Sequence, residues 1–216
     1  MSSSTILRLP ALSALPFLNA AFVGRVEGID VDTDRGTALA RLASQHEAIR
    51  RGLDFGGEMA TAAQVHGGGV ACVEPGTIFP VPDSDALVTS TRGLCLGIYV
   101  ADCAAIFLAD RFGRAIGLAH SGKKGTELGI ASRVVESVCT LAGGHPRDLV
   151  AVISPCIRPP HYEVDFAVEI HRQLVSSGVE NVFDDGLCTA SDPERFYSYR
   201  REKGKTGRML ALLELK

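Results

Sequence analysis

Three residues in this chain have side chains and neighbours suited to chemistry. They are His66, just before Gly67-Gly68-Gly69; Cys103, just after Ala101-Asp102; and His120, just before the turn Ser121-Gly122. Two imidazoles and a thiolate are borderline-to-soft donors that suit zinc, and three protein ligands leave a fourth position for water. Zinc would bring the pKa of that water toward neutrality and make hydroxide available. The ligands are scattered along the chain rather than paired. Spacing alone therefore favours a plainer reading, a buried thiol and two hydrogen-bonded histidines. Asp83, Asp85 and Asp102 are acids near these positions; Asp102, adjacent to Cys103, could orient a ligand, accept a proton or cap a turn. Next to His120 runs Gly122-Lys123-Lys124-Gly125-Thr126, a basic turn entering a helix, where free backbone N–H groups and two ammonium groups would favour an anion such as phosphate. Its spacing is not that of a Walker loop, and a solvated basic turn explains it equally well. His46, His145, His161 and His171 read as surface or structural residues.

These groups must be held by regular elements, and the apolar pattern supplies them. Short strands are expected at Met59–His66, Val70–Glu74, Ala86–Thr89, Leu94–Val100, Ala104–Ala109, Ala115–Ala119, Leu149–Ile153 and Arg208–Leu215, with a hairpin turn at residues 110–114. Helical spacing marks residues 36–52, ending at Gly52. It also marks Thr126–Leu141, with Thr126 as N-cap and Gly143-Gly144 as the stop, and Ala167–Ser177. On this pattern His66 ends one strand, Cys103 lies between two, and His120 ends another, junctions where strands fix position and loops leave access. Central strands with flanking helices predict a single α/β (α+β) domain over residues 1–216.

Composition agrees. The 216 residues suit one domain, and 46% hydrophobic with 22% charged residues supports an ordinary core. The formal net charge of −3 argues against non-specific nucleic-acid binding, which relies on a basic face. The segment Ile6–Val23 is apolar but interrupted by Arg8, Pro10 and Pro16, so it reads as loop and edge strand rather than a signal or membrane span. Six cysteines without a CxxC pair, in a chain with no signal peptide, lead us to expect free thiols in a reducing cytoplasm. A monomer or small homo-oligomer is expected.

Eight ordered blocks carry a resemblance. They are Gln64-Val65-His66-Gly67, Asp85-Ala86-Leu87-Val88-Thr89, Ala101-Asp102-Cys103, His120-Ser121-Gly122, Ile153-Ser154-Pro155-Cys156-Ile157, Tyr162-Glu163-Val164, Cys188-Thr189, and Ser198-Tyr199-Arg200-Arg201 with Thr206-Gly207-Arg208. Together they resemble the laccase-domain (multicopper polyphenol oxidase-like) proteins, a family with purine nucleoside phosphorylase and peptidoglycan-editing members. The resemblance implies the family's fold, similar to that of cytotoxic-necrotizing-factor toxins, and a zinc held by His66, Cys103 and His120. It also implies phosphorolysis of adenosine, inosine, guanosine and methylthioadenosine, with adenosine deamination at the same site. One d¹⁰ zinc cannot support the copper oxidase chemistry of the old family label. On the residues themselves, Cys103, His120 and Asp102 are the candidate catalytic residues, and Lys124 and Lys123 the candidate phosphate contacts. Where the family has Gly-Trp-Arg-Gly, this chain has Gly122-Lys123-Lys124-Gly125, which loses a stacking surface and a bidentate fork.

Two other functions compete with this one. In the first, Cys103 is the nucleophile and His120 the base of a metal-free cysteine hydrolase, including an amidase-like editor of cell-wall precursors. In the second, the protein binds ligand without catalysis.

Overall fold

Short apolar runs separated by turn residues pair into two sheets, and those sheets decide where the three chemical residues end up. The computed structural model describes residues 4–216, so residues 1–3 of the expected domain lie outside the described residues. In chain order the strands are β1 (Ser4–Leu7), β2 (Leu18–Val26), β3 (Met59–Thr61), β4 (Val70–Cys72), β5 (Ala86–Thr89), β6 (Cys95–Val100), β7 (Ala104–Asp110), β8 (Ile116–Ser121), β9 (Leu149–Ile153), β10 (Asn181–Asp184) and β11 (Met209–Leu215). The helices are α1 (Pro10–Ser13), α2 (Arg35–Gly52), α3 (Lys123–Glu127), α4 (Ile130–Ala142) and α5 (Phe166–Ser176). One sheet has the order β1-β2-β11-β6-β3 and the other β10-β9-β7-β8-β5-β4. Each is mixed: β3 lies parallel to β6, β4 to β5 and β10 to β9, while the remaining pairs are antiparallel. The molecule is thus the expected α+β domain.

Period-two alternation sorts the side chains between layers. From β7, Ala105, Phe107 and Ala109 enter a core shared with Leu96 and Ile98 of β6 and Ala211 and Leu213 of β11. The alternate residues Ala104, Ile106 and Leu108 face the other way, into a core with Val134 and Val138 of α4 and Ile170 of α5. Both faces of β7 are therefore covered, which is why its sequence is a continuous apolar run. Helix α4 comes especially close to β8: a Cβ at Gly117 would lie 2.7 Å from Val138 Cγ2.

The structure corrects four local expectations. The segment Ile6–Val23 spans edge strand β1, the short α1 and the start of β2, and β2 is an interior strand between β1 and β11. The strand starting at Met59 stops at Thr61, because Gln64 and His66 both adopt left-handed backbone with φ 58°. The expected helix from Thr126 is two helices, broken at Gly129, whose φ of 72° ends the helical path. Thr126 lies inside α3, and Gly129 rather than Thr126 is the N-cap of α4. Strand β10 was not expected; it is an edge strand with a mostly exposed Asn-Val-Phe-Asp sequence and carries little apolar signal. No helix among the described residues is long and apolar enough to cross a membrane.

Candidate active site

Sheet register brings the three residues together. Strand β5 pairs with β8 so that Ala86 faces Ala119, and the next step outward sets Asp85 beside His120, with the His120 N–H donating to Asp85 O at 2.7 Å. Strand β7 pairs with β8 so that Ala104 faces Ser121, which carries Cys103 to Gly122. Contact there is close: a Cβ on Gly122 would lie 2.6 Å from Cys103 Sγ. The left-handed turn at Gln64 and His66 then folds the third residue over the other two. Gln64 anchors that turn like a strand neighbour, its Nε2 donating to Tyr99 O at 2.6 Å and its Oε1 accepting from Tyr99 N–H at 3.0 Å. In the result one potential ligand atom each from His66, Cys103 and His120 lies within 4.8 Å of the others. The imidazole rings of His66 and His120 meet edge to face at 4.9 Å.

The hub of the arrangement is Asp85, which is fully buried. Its Oδ2 accepts from Val65 N–H at 3.1 Å and Gly67 N–H at 2.7 Å, and its Oδ1 from His66 N–H at 2.9 Å. Three successive amides thus grip one carboxylate, an anion-binding backbone nest. Oδ1 also lies 2.8 Å from His120 Nδ1. A carboxylate cannot donate, so the proton sits on Nδ1 and leaves Nε2 of His120 for the thiol or a metal. Burial alone would raise the Asp85 pKa, but the bonds from His120 and Gly67 outweigh it and hold the group below its usual value.

The other two charges follow from the same contacts. Burial pushes the Cys103 thiol up, yet hydrogen bonds with His120 and His66 outweigh that and bring it down to about 6. Burial pushes His120 down, yet Asp85 and Cys103 outweigh that and raise it to about 9. With no metal bound, the pair is a thiolate beside an imidazolium. The same three donors form an N₂S set that could hold a metal ion.

Above this cluster opens a cavity of about 760 Å³. Tyr99, Tyr162, Phe166 and Tyr199 give it aromatic walls, and Lys123 and Lys124 also line it. Asp102 lines it too, in left-handed backbone at φ 79°, but its carboxylate faces neither imidazole. Oδ1 accepts from Thr189 Oγ1 at 2.7 Å, and Oδ2 from Ser198 Oγ at 3.1 Å and Arg200 N–H at 2.7 Å. The expected ligand-orienting contact is made by Asp85 instead, while Asp102 ties the Cys103 loop to the C-terminal segment. His145, His161 and His171 are exposed, and His46 is buried away from the cavity lining.

Comparison with known proteins follows the same lines. A family model described as multi-copper polyphenol oxidoreductase laccase matches residues 23–171 and 164–216. The chain belongs to this family. A Deinococcus radiodurans protein named purine nucleoside phosphorylase is 32% identical over 97% of this chain and 92% of its own length. Purine nucleoside phosphorylase YlmD of Bacillus subtilis is 32% identical over 62% of this chain, and the match covers 59% of that protein, less than two thirds. The crystal structure of YlmD from Geobacillus stearothermophilus shares the fold, with a TM-score of 0.85 at 24% identity over 96% of this chain and 94% of that one.

The family name invokes several coppers, yet among the described residues only one group of three or more such donors converges. Several residues of this laccase-family cavity were not anticipated from the sequence: Arg35, Gln64, Tyr99, Phe166, Lys203 and Arg208. Gln64 and Arg208 lie inside blocks that had drawn attention for other residues. Arg35 and Phe166 sit at helix starts, where nothing local distinguishes a cavity-lining residue from a solvated one.

Proposed function

We propose that this protein is a zinc-dependent purine nucleoside phosphorylase that also deaminates adenosine at the same site. The observation that carries this reading is the His66–Cys103–His120 donor cluster at the floor of a cavity with aromatic and cationic walls. The donors fit zinc in number, softness and proximity. His66, Cys103 and His120 would hold it, leaving a position open to the cavity, and bound there it would supply Lewis acidity that makes water nucleophilic at neutral pH. The chain's own residues do the rest. Asp85 fixes the His120 tautomer and ring, and its grip on Val65, His66 and Gly67 fixes the loop that presents His66. Tyr162, Phe166 and Tyr199 offer faces against which a purine can stack. Lys123 and Lys124 offer ammonium groups for phosphate, as point charges rather than a fork. Asp102 is a positioning residue, since both of its oxygens are engaged within the protein. The relatives named purine nucleoside phosphorylase support the phosphorylase part of this reading.

Purified protein should contain stoichiometric zinc, lost in Cys103→Ala, and should release adenine from adenosine only with phosphate and inosine without it. Absence of both products with metal-replete protein would refute the nucleoside chemistry.

A second reading rests on the line Asp85–His120–Cys103, in which an acid orients an imidazole beside a thiol, the arrangement of cysteine hydrolases. It requires zinc-free protein that loses activity when Cys103 is alkylated, and stoichiometric zinc would exclude it.

A further inference from the structure

The cavity holds more positive charge than one phosphate requires. Arg35, Lys123, Lys124, Lys203 and Arg208 all line it, and among the described residues none of the five forms an ion pair. The one carboxylate in the lining, Asp102, is already engaged by Thr189, Ser198 and the Arg200 N–H. Nearby acids are occupied as well. Glu202 accepts from Arg25, Thr206 Oγ1 and Ser198 N–H, and Asp34 caps α2 through Thr37.

The cations come from three separate stretches of the chain. Lys123 and Lys124 follow Gly122, beside Cys103. Arg35 opens α2, Lys203 lies in the turn after Tyr199, and Arg208 immediately precedes β11. Arg208 is the telling member. It is only 8% exposed, yet its Nη1 donates to the carbonyls of Thr206 and Gly207, and its other nitrogens have no protein acceptor among the described residues. It packs 6.0 Å over the Tyr199 ring. Burial first, and the like charge of Arg35 second, weaken its hold on its proton, while Tyr199, Cys103 and Asp102 act in the opposite sense. The remaining nitrogens of Arg208 are not among the buried polar atoms without a partner, so they open toward the cavity, where an anion that enters can take them in charge-assisted hydrogen bonds.

We propose that Arg208, Arg35 and Lys203 form an anion subsite distinct from Lys123 and Lys124, built to take a phosphate group. That phosphate is either free inorganic phosphate or the 5′-phosphate of a nucleoside monophosphate. Only the second source rests on the nucleoside reading above. If the 5′-phosphate binds here, the substrate class extends from nucleosides to nucleotides, with Lys123 and Lys124 left for the attacking phosphate.

The test is calorimetric titration of the metal-replete protein with inorganic phosphate, adenosine 5′-monophosphate and adenosine, in wild type and in Arg208→Gln, Arg208→Lys, Arg35→Gln and Lys124→Ala. Arg208→Gln and Arg35→Gln should each weaken a phosphate-bearing probe at least tenfold and leave adenosine within twofold, with Arg208→Lys intermediate because it keeps charge but loses the fork. Weakening of the monophosphate alone assigns the subsite to a substrate-borne phosphate; weakening of inorganic phosphate assigns it to the free ion. Arg35 is exposed, so Arg35→Gln decides the matter if Arg208→Gln does not fold. Wild type that binds neither phosphate probe, or Arg variants that bind both as wild type does, overturns the proposal. Because the readout is binding, a subsite that survives in a protein without phosphorolysis would refute the reaction and leave the subsite standing.

Discussion

Replacing Asp85 with Asn is the sharpest perturbation of the proposed site, because it removes one charge while keeping the shape. Four donors converge on the carboxylate: the N–H groups of Val65, His66 and Gly67, and Nδ1 of His120, at 2.7–3.1 Å. Asn retains one acceptor oxygen and turns an NH₂ toward the remaining donors, so about two of the four lose their partner. Hydrogen bonds to a charged group contribute roughly 1.5–3 kcal/mol each. Two lost bonds at a fully buried carboxylate therefore cost about 3–6 kcal/mol. The lower end applies if the partly exposed 65–67 loop recovers its bonds from water. The loss divides between folding and ligand orientation, and disturbing the partner of a metal-bound imidazole weakens metal affinity by roughly 10–100-fold. Zinc affinity is read by competition with a chromophoric chelator, and stability by urea unfolding of the metal-free protein. An Asp85→Asn protein with wild-type zinc affinity and an unchanged urea midpoint would refute Asp85 as the hub.

Three further outcomes follow from the structure. Gly122→Ala keeps an ordinary extended backbone (φ −101°, ψ −167°) but sets a Cβ 2.6 Å from Cys103 Sγ; the thiol must shift by more than the ~0.2 Å a metal bond tolerates, so zinc affinity should fall about tenfold or more with the fold retained, as checked by chelator competition and circular dichroism. Lys124→Ala should raise the KM for phosphate about tenfold, a loss near 1.4 kcal/mol, with zinc content unchanged; unaltered phosphate saturation in steady-state assays would remove Lys124 from the site. His46 is 2% exposed with neither ring nitrogen hydrogen-bonded, and burial lowers its pKa from 6.5 to about 4. The unfolded chain binds that proton first, so the contribution is complete above about pH 6.5 and is lost as pH falls toward 4, an amount of about 3 kcal/mol. His46→Leu should flatten that slope in urea titrations at pH 4.5 and pH 7, and an unchanged slope would exclude His46 as its source.

The strands were largely legible because their signal is local. Ala104–Asp110 is apolar throughout because both its faces are covered, and the turn at residues 110–114 carries its own polar and glycine punctuation. Helix α2 was legible for the same reason, with Asp34 capping Thr37. Periodicity failed where one backbone angle decided the outcome: residues 126–141 keep helical spacing across Gly129, yet its left-handed φ splits them. It failed likewise at Gln64 and His66, whose φ ends a strand that side-chain pattern alone extends.

The functional site divides along the same boundary. Residue types and their ordered motifs singled out the candidate donors, because a thiol and two imidazoles carry the same ligand chemistry wherever the chain places them. Tertiary structure decided which acid serves them. Asp102 is Cys103's neighbour in sequence, but the pairing of β5 with β8 puts Asp85 against His120 and leaves Asp102 to Thr189 and Ser198. It also decided that Arg35, far in sequence from Lys203 and Arg208, shares one cavity with them, and that among the described residues none of the three is ion-paired. Register and long-range packing set these contacts, and both depend on hydrogen-bond partners that no local stretch of sequence contains.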